Sequence, residues 1–494
     1  MASSDDRRAL VIGSGPAGSM AALTLLKHSI PVTMLESGQS VPGGLLVRAM
    51  GKNVYRRRPK LGSRIDHVAT GDPDARWTHT LEPGGLSNYW TGAVPRFATQ
   101  DFTEGERLHE RYRWPISYDE LAPYYDQVER EMRVVGGVDN VPNLPAPAVG
   151  GGRHLPGDWR RVATGAERFG HGLVPLPLAA GPEWHVARGG TAFNSFTRIV
   201  RRLRGEPHFE LLLGAHVLRL EWSGSRRRVT SVMYFDRAAR TQRRAIGAAV
   251  VVAAGALAST KLLMDSDCHD FPEGLGNTEG LLGRYLHDHP HDWWVLEVEP
   301  ALSRLSHAAY LTRAPYAESP PLLAASSTLG NTSTVDKVLA VTRLRTKTFG
   351  VNVFGTVVPE YHNHVSLWPN AKDEFSLPLL DLHIRYGDDV PKTMATARQR
   401  VLEIVEAAGH RATVRWSQPE FVPGTSVHYG GTVRMHRSPQ HGMLNAWNRL
   451  HAVSNVVVAD ASAFTTGVEK NPALTLAALA ARAAARLADD LKRA

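Results

Sequence analysis

The sequence predicts an α/β protein: a doubly wound, Rossmann-like domain interleaved with an α+β domain that contains an antiparallel sheet. Three observations carry this reading. An apolar strand, a glycine turn and a helix open the chain, a second apolar strand followed by a helix returns at residue 248 (AAVVVAAGALASTKLLM), and residues 293 to 386 alternate short apolar runs with turns. The 494 residues leave room for two to three domains, and 43% hydrophobic with 21% charged residues is ordinary globular composition with ample core.

The opening element is ALVIGSGPAGSMAALTLLKHSIPVTMLESG. It reads as a strand, a turn, an amphipathic helix through Leu26 and a second strand ending at Glu36. Gly13, Gly15 and Gly18 form G-x-G-x-x-G between strand and helix, and Glu36 follows Gly13 by 23 residues. Gly13 makes the tight turn, Gly15 lets backbone approach a pyrophosphate, and Gly18 lets helix and strand pack closely. The helix N-terminus offers amides and positive dipole to phosphates. Glu36 at the strand tip can accept hydrogen bonds from a ribose, which favours FAD or NAD over NADP.

The segment GGLSNYWTGAVPRF (84–97) has neither a period of 2 nor of 3.6, so it reads as an ordered loop lying against something. A Gly/Pro-rich passage from Val135 to Gly157 predicts a long surface connection that separates two lobes or caps a site. Strands return in HFELLLGAHVLRLEW at 208, VTSVMYF at 229 and the run at 248, a block that should rejoin the first domain. Residues 293 to 386, with NHVSLWPNAKDEFSLPLLDLHIRY, suggest an antiparallel sheet, and the chain from Asn471 onward a continuous alanine-rich helix.

Charge and composition exclude several classes. The net charge of +9 is spread over short clusters (YRRRPK at 55, RRLR at 201, SRRR at 225) with no interleaved aromatic stacking motif, so no nucleic-acid partner is expected. Arg482 and Arg486 interrupt ALTLAALAARAAARLA, so no membrane span is expected either. MASSDDRRALVIG runs straight into a strand without a separate apolar segment, and the expected location is cytoplasmic. A single cysteine, Cys268, excludes an internal disulfide and a cysteine metal site.

Five further stretches carry a family resemblance: AAGALASTKLL, GRYLHDHP, HYGGTVRMH, VVVADASAF and NPALTLAALAARAA. In this order, from Leu10 to about Ala485, the chain resembles the glucose-methanol-choline (GMC) oxidoreductases, flavoenzymes that oxidise alcohols with FAD. GGLSNYWTGAVPRF, with WPISYDELAPYYDQVE after it, looks like the branch of pyranose oxidases and related sugar and glycoside oxidases. The resemblance implies that this loop packs on the isoalloxazine ring, which makes Asn88, Tyr89, Trp90 and Thr91 cofactor neighbours, with Thr91 near N5. It also implies that Asp460 and Ala461 close over the dinucleotide and that Val217, beside the AGA at 254–256, lies near the adenine. The implied division is 1–100, 205–292 and 422–494 for FAD and 101–204 and 293–421 for substrate.

Alcohol oxidation needs a base for the hydroxyl proton, a polar group to orient the oxygen and a hydride acceptor. His428 sits where the family's catalytic histidine falls and Asn471 where its partner falls, so His428 is the expected base and Asn471 the positioner. His287, His289 and His291 would share a face in a strand, yet Pro290 disrupts that geometry and the matching family segment binds no metal; none is expected. Arg434 reads as structural, and His436 replaces a glycine common after that methionine. In fungal pyranose oxidases a histidine in this loop is bonded to the flavin; Tyr89 stands there here, which implies dissociable FAD. Glu360 and Glu469 are candidate substrate acids that would hold an ammonium group. The expected reaction is therefore FAD-dependent oxidation of an alcohol on a sugar, glycoside or aminosugar-containing natural product. A non-sugar alcohol such as a sterol, or a flavin-binding protein or lyase, is the alternative, and oxygen, a quinone or another carrier remains open as the electron acceptor.

Overall fold

The computed structural model describes residues 7–40, 67–138, 141, 143–149, 151, 153–179, 193–331 and 345–493. The basic cluster at 55 and parts of the 135–157 passage lie outside them.

Five parallel strands form the central sheet, in the order Val456–Val458, Ala249–Val252, Ala9–Ile12, Val32–Glu36, Phe209–Leu213. The middle strands are buried at every position, which explains why they read as unbroken apolar runs instead of alternating ones. The helix Pro16–Lys27 differs from expectation. Every residue from Ala17 to Leu25 is buried, so it is not amphipathic: it lies between the sheet and the C-terminal helix Ala473–Arg493, and its small residues admit packing on both sides. Arg482, which interrupts the apolar run of that last helix, is also buried; its guanidinium stacks 3.9 Å from the Trp447 ring and donates to Glu120 at 3.0 Å.

Phe209–Leu213 and Ala249–Val252 do rejoin the first sheet, while the strands between them form a separate antiparallel sheet of three. The expected antiparallel sheet is present with six strands, in the order Arg411–Glu420, His291–Ser303, Arg345–Gly355, Ala325–Asn331, Ala309–Leu311, Leu173–Pro175. Its two longest strands, of 13 and 11 residues, are not short, and His364–Lys372 and Pro378–His383 leave it for a separate sheet in which Pro378–His383 pairs with His67–Ala69. Alternation decides its faces. Asp292, Trp294, Leu296 and Val298 are buried, and Trp294, Leu296 and Val298 share one apolar core with the helices Trp159–Arg168 and Asp389–Ala407, while His291, Trp293, Asn352 and Phe354 share the other face. The 135–157 passage is partly paired: Val134–Val135 bonds Leu178–Ala179, and Gly136 bridges Gly151.

Among the described residues no helix is long and apolar enough to cross a membrane.

Candidate active site

The glycine turn opens onto a cavity of about 550 Å³. Gly13 has φ +97°, and a Cβ there would meet the Ala253 carbonyl oxygen at 2.5 Å. At Gly18 a Cβ would stand 2.0 Å from the Gly13 oxygen, so only glycine lets helix and strand approach. Gly15 faces open space, with nothing within 4 Å of a Cβ position. That is the room a pyrophosphate needs above a helix N-terminus. Glu36 lines the same cavity and accepts from Ser14 N (3.0 Å), Ser14 Oγ (2.5 Å) and Gly38 N (2.7 Å); burial pushes its pKa up against those bonds. Ser14 Oγ in turn accepts from Gly84 N at 2.8 Å, which ties the glycine turn to the loop of residues 84–97.

Within that loop Gly85–Asn88 is a short 3-10 turn, and Tyr89, Trp90 and Thr91 line the cavity. Asn88 does not. Its Nδ2 donates back to the carbonyls of Pro83 (3.1 Å) and Gly85 (2.9 Å), and its Oδ1 accepts from Asn194 at 2.7 Å, so it braces the turn from behind. The Tyr89 hydroxyl donates to Glu82, and Trp90 Nε1 to the Phe193 carbonyl at 2.6 Å.

Val217 lines the cavity as well. Beside it are residues that sequence reasoning missed: His216 and Phe375, stacked with ring centroids 4.1 Å apart, and Lys261, which donates to Asp265 at 2.6 Å and lies 3.5 Å from Asp373. Burial, with Asp373 adding, pushes Asp265 up to about 6 against Lys261. Phe375 and Asp373 arrive on a hairpin far along the chain, and no local pattern marks them. Asp460 lines the cavity, bonded to Ser259 Oγ (2.5 Å), Gly255 N (3.1 Å) and Ser462 N (3.0 Å) and pushed up by burial, while Ala461 is buried at the start of the turn that follows.

His428 is carried by the segment that Asp288 organises. The buried Asp288 carboxylate accepts from Gly424 N (2.7 Å), Ser426 Oγ (2.6 Å) and His428 N (2.7 Å). Those bonds restrain Val427 at φ +63°, a left-handed conformation that a β-branched residue rarely adopts and that costs of order 1–3 kcal/mol. His428 Nε2 then lies 3.3 Å from Asn471 Nδ2, its Nδ1 lies 3.1 Å from His289 Nδ1, and the Phe354 ring is 5.4 Å away, centroid to centroid. Burial first, and the neighbouring His289 and His291 second, hold its pKa well below the usual histidine value. At neutral pH the imidazole is uncharged and free to accept a proton.

Asn471 precedes the last helix on a segment fixed by buried charge. Lys470 Nζ bonds Asp101 (2.9 Å) and Glu469 Oε1 (2.7 Å), and Arg313 lies 3.7 Å from Glu469 Oε2 while bonding Glu104 at 2.8 Å. Glu469 is therefore a buried, neutralised partner of two cations, not a wall of the cavity; two residues before Asn471 on a non-helical segment, it points away. Glu360 is exposed and does not line the cavity either. Neither of the two acids expected to hold an ammonium group therefore borders this cavity.

The three histidines of LHDHPH are dispersed. His287 is buried beneath the two glycines that follow Tyr429, where a Cβ on Gly430 would meet its Nε2 at 2.6 Å. His289 packs on His428, and His291 stacks on Phe354 at 4.9 Å. Among the described residues no group of three or more His, Cys, Asp or Glu is placed to hold a metal ion. Arg434 is buried, stacked 4.1 Å from the Tyr285 ring and pushed down to about 10 by burial. His436 is buried with Nδ1 accepting from Ser438 N at 3.0 Å, so the loop takes a histidine in place of glycine.

Family models described as GMC oxidoreductase match residues 92–291 and 359–480. The chain is 28% identical to paromamine 6'-oxidase of Streptomyces fradiae, over 99% of this chain and 92% of that protein. It is 24% identical to the fructose dehydrogenase large subunit of Gluconobacter japonicus, over 98% of each. Among solved structures, pyridoxine 4-oxidase of Mesorbium loti shares the fold with a TM-score of 0.64 at 18% identity, over 97% of this chain and 98% of that one.

Proposed function

The chain belongs to the GMC oxidoreductases, and from that premise we propose that it oxidises an alcohol group of a sugar, glycoside or aminoglycoside, with His428 as the base and Asn471 as the positioning partner. The observation that carries this is the 3.3 Å contact between His428 Nε2 and Asn471 Nδ2 on the wall of the same cavity that begins at the glycine turn. The open space at Gly15 and the continuity from there to His428 fit FAD, whose ADP half Gly13, Gly15, Glu36, Val217 and Asp460 would hold. Bound FAD supplies the acceptor for the hydride.

The chain's own residues do the rest. An imidazole kept neutral by burial takes the hydroxyl proton at Nε2, and the Asn471 amide orients the alcohol oxygen. Phe354, on the face of the six-stranded sheet away from its apolar core, lines the cavity with its ring 5.4 Å from that of His428 and gives the base an apolar neighbour. The sugar class is supported by the two relatives, a paromamine 6'-oxidase and a fructose dehydrogenase large subunit. The two-lobe division given above is supported by Leu173–Pro175 joining the sheet of residues 291–420; the pairing of His67–Ala69 with Pro378–His383 crosses it.

The test is an anaerobic screen read by loss of flavin absorbance, with paromamine, fructose, glucose and a sterol. Bleaching by a sugar supports the reading. Bleaching by the sterol alone moves the substrate class, and no bleaching by any alcohol removes the activity.

A further inference from the structure

We infer that His289 is a positioning residue for His428: it accepts the hydrogen of His428 Nδ1 and so leaves the Nε2 lone pair facing Asn471 and the cavity. The inference rests on His428 acting as the base.

The backbone sets the meeting. His287 and Gly430 form an antiparallel bridge, His287 N donating to the Gly430 carbonyl (3.1 Å) and Gly430 N to the His287 carbonyl (2.9 Å). Counting outward in that register, residue 289 stands opposite residue 428, where side chains share a face. The rings meet edge to face at 73°, with centroids 4.9 Å apart and the two Nδ1 atoms at 3.1 Å. At that distance one nitrogen must carry the hydrogen and the other a lone pair.

Asn471 decides which. Its Nδ2 is a donor and faces His428 Nε2, so Nε2 holds the lone pair, the hydrogen sits on Nδ1, and His289 Nδ1 accepts it. The other groups facing this ring leave the arrangement undisturbed. Asp288 is engaged with Gly424 N, Ser426 Oγ and the His428 backbone, His291 is stacked on Phe354, and Phe354 has no polar atom on its ring. Burial pushes His289 down to about 3, so it acts through its lone pair and not through charge. An acceptor fixed behind the base both excludes the wrong tautomer and stabilises the imidazolium that forms when the substrate proton arrives.

The experiment uses the holoprotein with 15N-labelled imidazoles, the His428 signal being assigned by its loss in His428→Asn. At pH 7.5 wild type should show Nδ1 protonated and Nε2 unprotonated. His289→Leu, which keeps bulk and removes the acceptor, should mix the tautomers, and His289→Gln should restore wild type through its carbonyl oxygen. In anaerobic flavin reduction by paromamine, His289→Leu should lower the limiting rate at least ~10-fold with little change in the half-saturating concentration, and the glutamine variant should recover most of it. Wild type with Nε2 protonated, or a leucine variant with an unchanged tautomer, overturns the inference. A tautomer that responds as described in a protein whose His428→Ala variant still reduces normally would instead remove His428 as base, so the two failures are distinguishable.

Discussion

His428 Nε2 lies 3.3 Å from Asn471 Nδ2, although 43 residues separate them in the chain. Loops and a strand intervene, and both side chains face the cavity that starts at Gly13. His428→Ala should therefore keep FAD and fold while slowing flavin reduction at least ~100-fold, the scale of a lost general base. Asn471→Ala should slow it less. Stopped-flow flavin absorbance measures both, and a normal rate in the His428 variant would sink the assignment.

Gly15 and Gly18 should respond oppositely to alanine. Nothing stands within 4 Å of a Cβ at Gly15, so Gly15→Ala should leave the apoprotein's melting temperature unchanged and weaken FAD binding. Gly18→Ala forces a contact of 2.0 Å with the Gly13 carbonyl and should destabilise the protein itself by about 1–3 kcal/mol or more. Melting curves set beside FAD titrations separate the two effects.

FAD should be released into the supernatant on acid or heat precipitation, because Tyr89 stands in the linking histidine's place and its hydroxyl is engaged by Glu82. Yellow colour retained in the pellet would show a covalent bond.

Buried neutral histidines should make the protein acid-sensitive. Burial pushes His287 down to about 4 and His289 to about 3, from 6.5 in the unfolded chain. Both folded values are depressed, so as pH falls below 6.5 the unfolded chain takes up protons that the folded one does not. Stability present above pH 6.5 is then lost by about 1.4 kcal/mol per pH unit for each group until its folded pKa is reached. Asp265 and Asp288, pushed up to about 6 by burial, have the opposite sign between pH 6 and 3.8, as do the raised Glu36 and Asp460, but His171, His307, His364, His428 and His436 are depressed along with His287 and His289, and these seven histidines outnumber the four carboxylates. The melting temperature should fall from pH 6.5 to 5, less steeply in His289→Gln; identical slopes would contradict this.

Glu469→Gln should leave substrate preference between amino and neutral sugars unchanged, since the carboxylate is turned into the protein. It leaves Lys470 and Arg313 short of a partner, for a loss of about 3 kcal/mol. A change in amine discrimination with unchanged melting would return Glu469 to the substrate side.

The sequence by itself determined what depends on neighbours along the chain. Strand, turn and helix around Gly13, the acid at Glu36 and the long last helix follow from local sterics and apolar patterning, and the ordered motifs carried the family and the pair His428 and Asn471. Only the tertiary structure decided the direction in which side chains point outside regular elements. Asn88, inside the loop of residues 84–97, turns back on its own turn, and Glu469 points into a buried ion network while Asn471, two residues later, faces the cavity. It likewise brought Phe375 to the cavity from a remote hairpin and set His289 against His428 through the bridge of His287 with Gly430. Pairing register and long-range packing bring such groups together, and neither leaves a period or a spacing in the chain that would announce it.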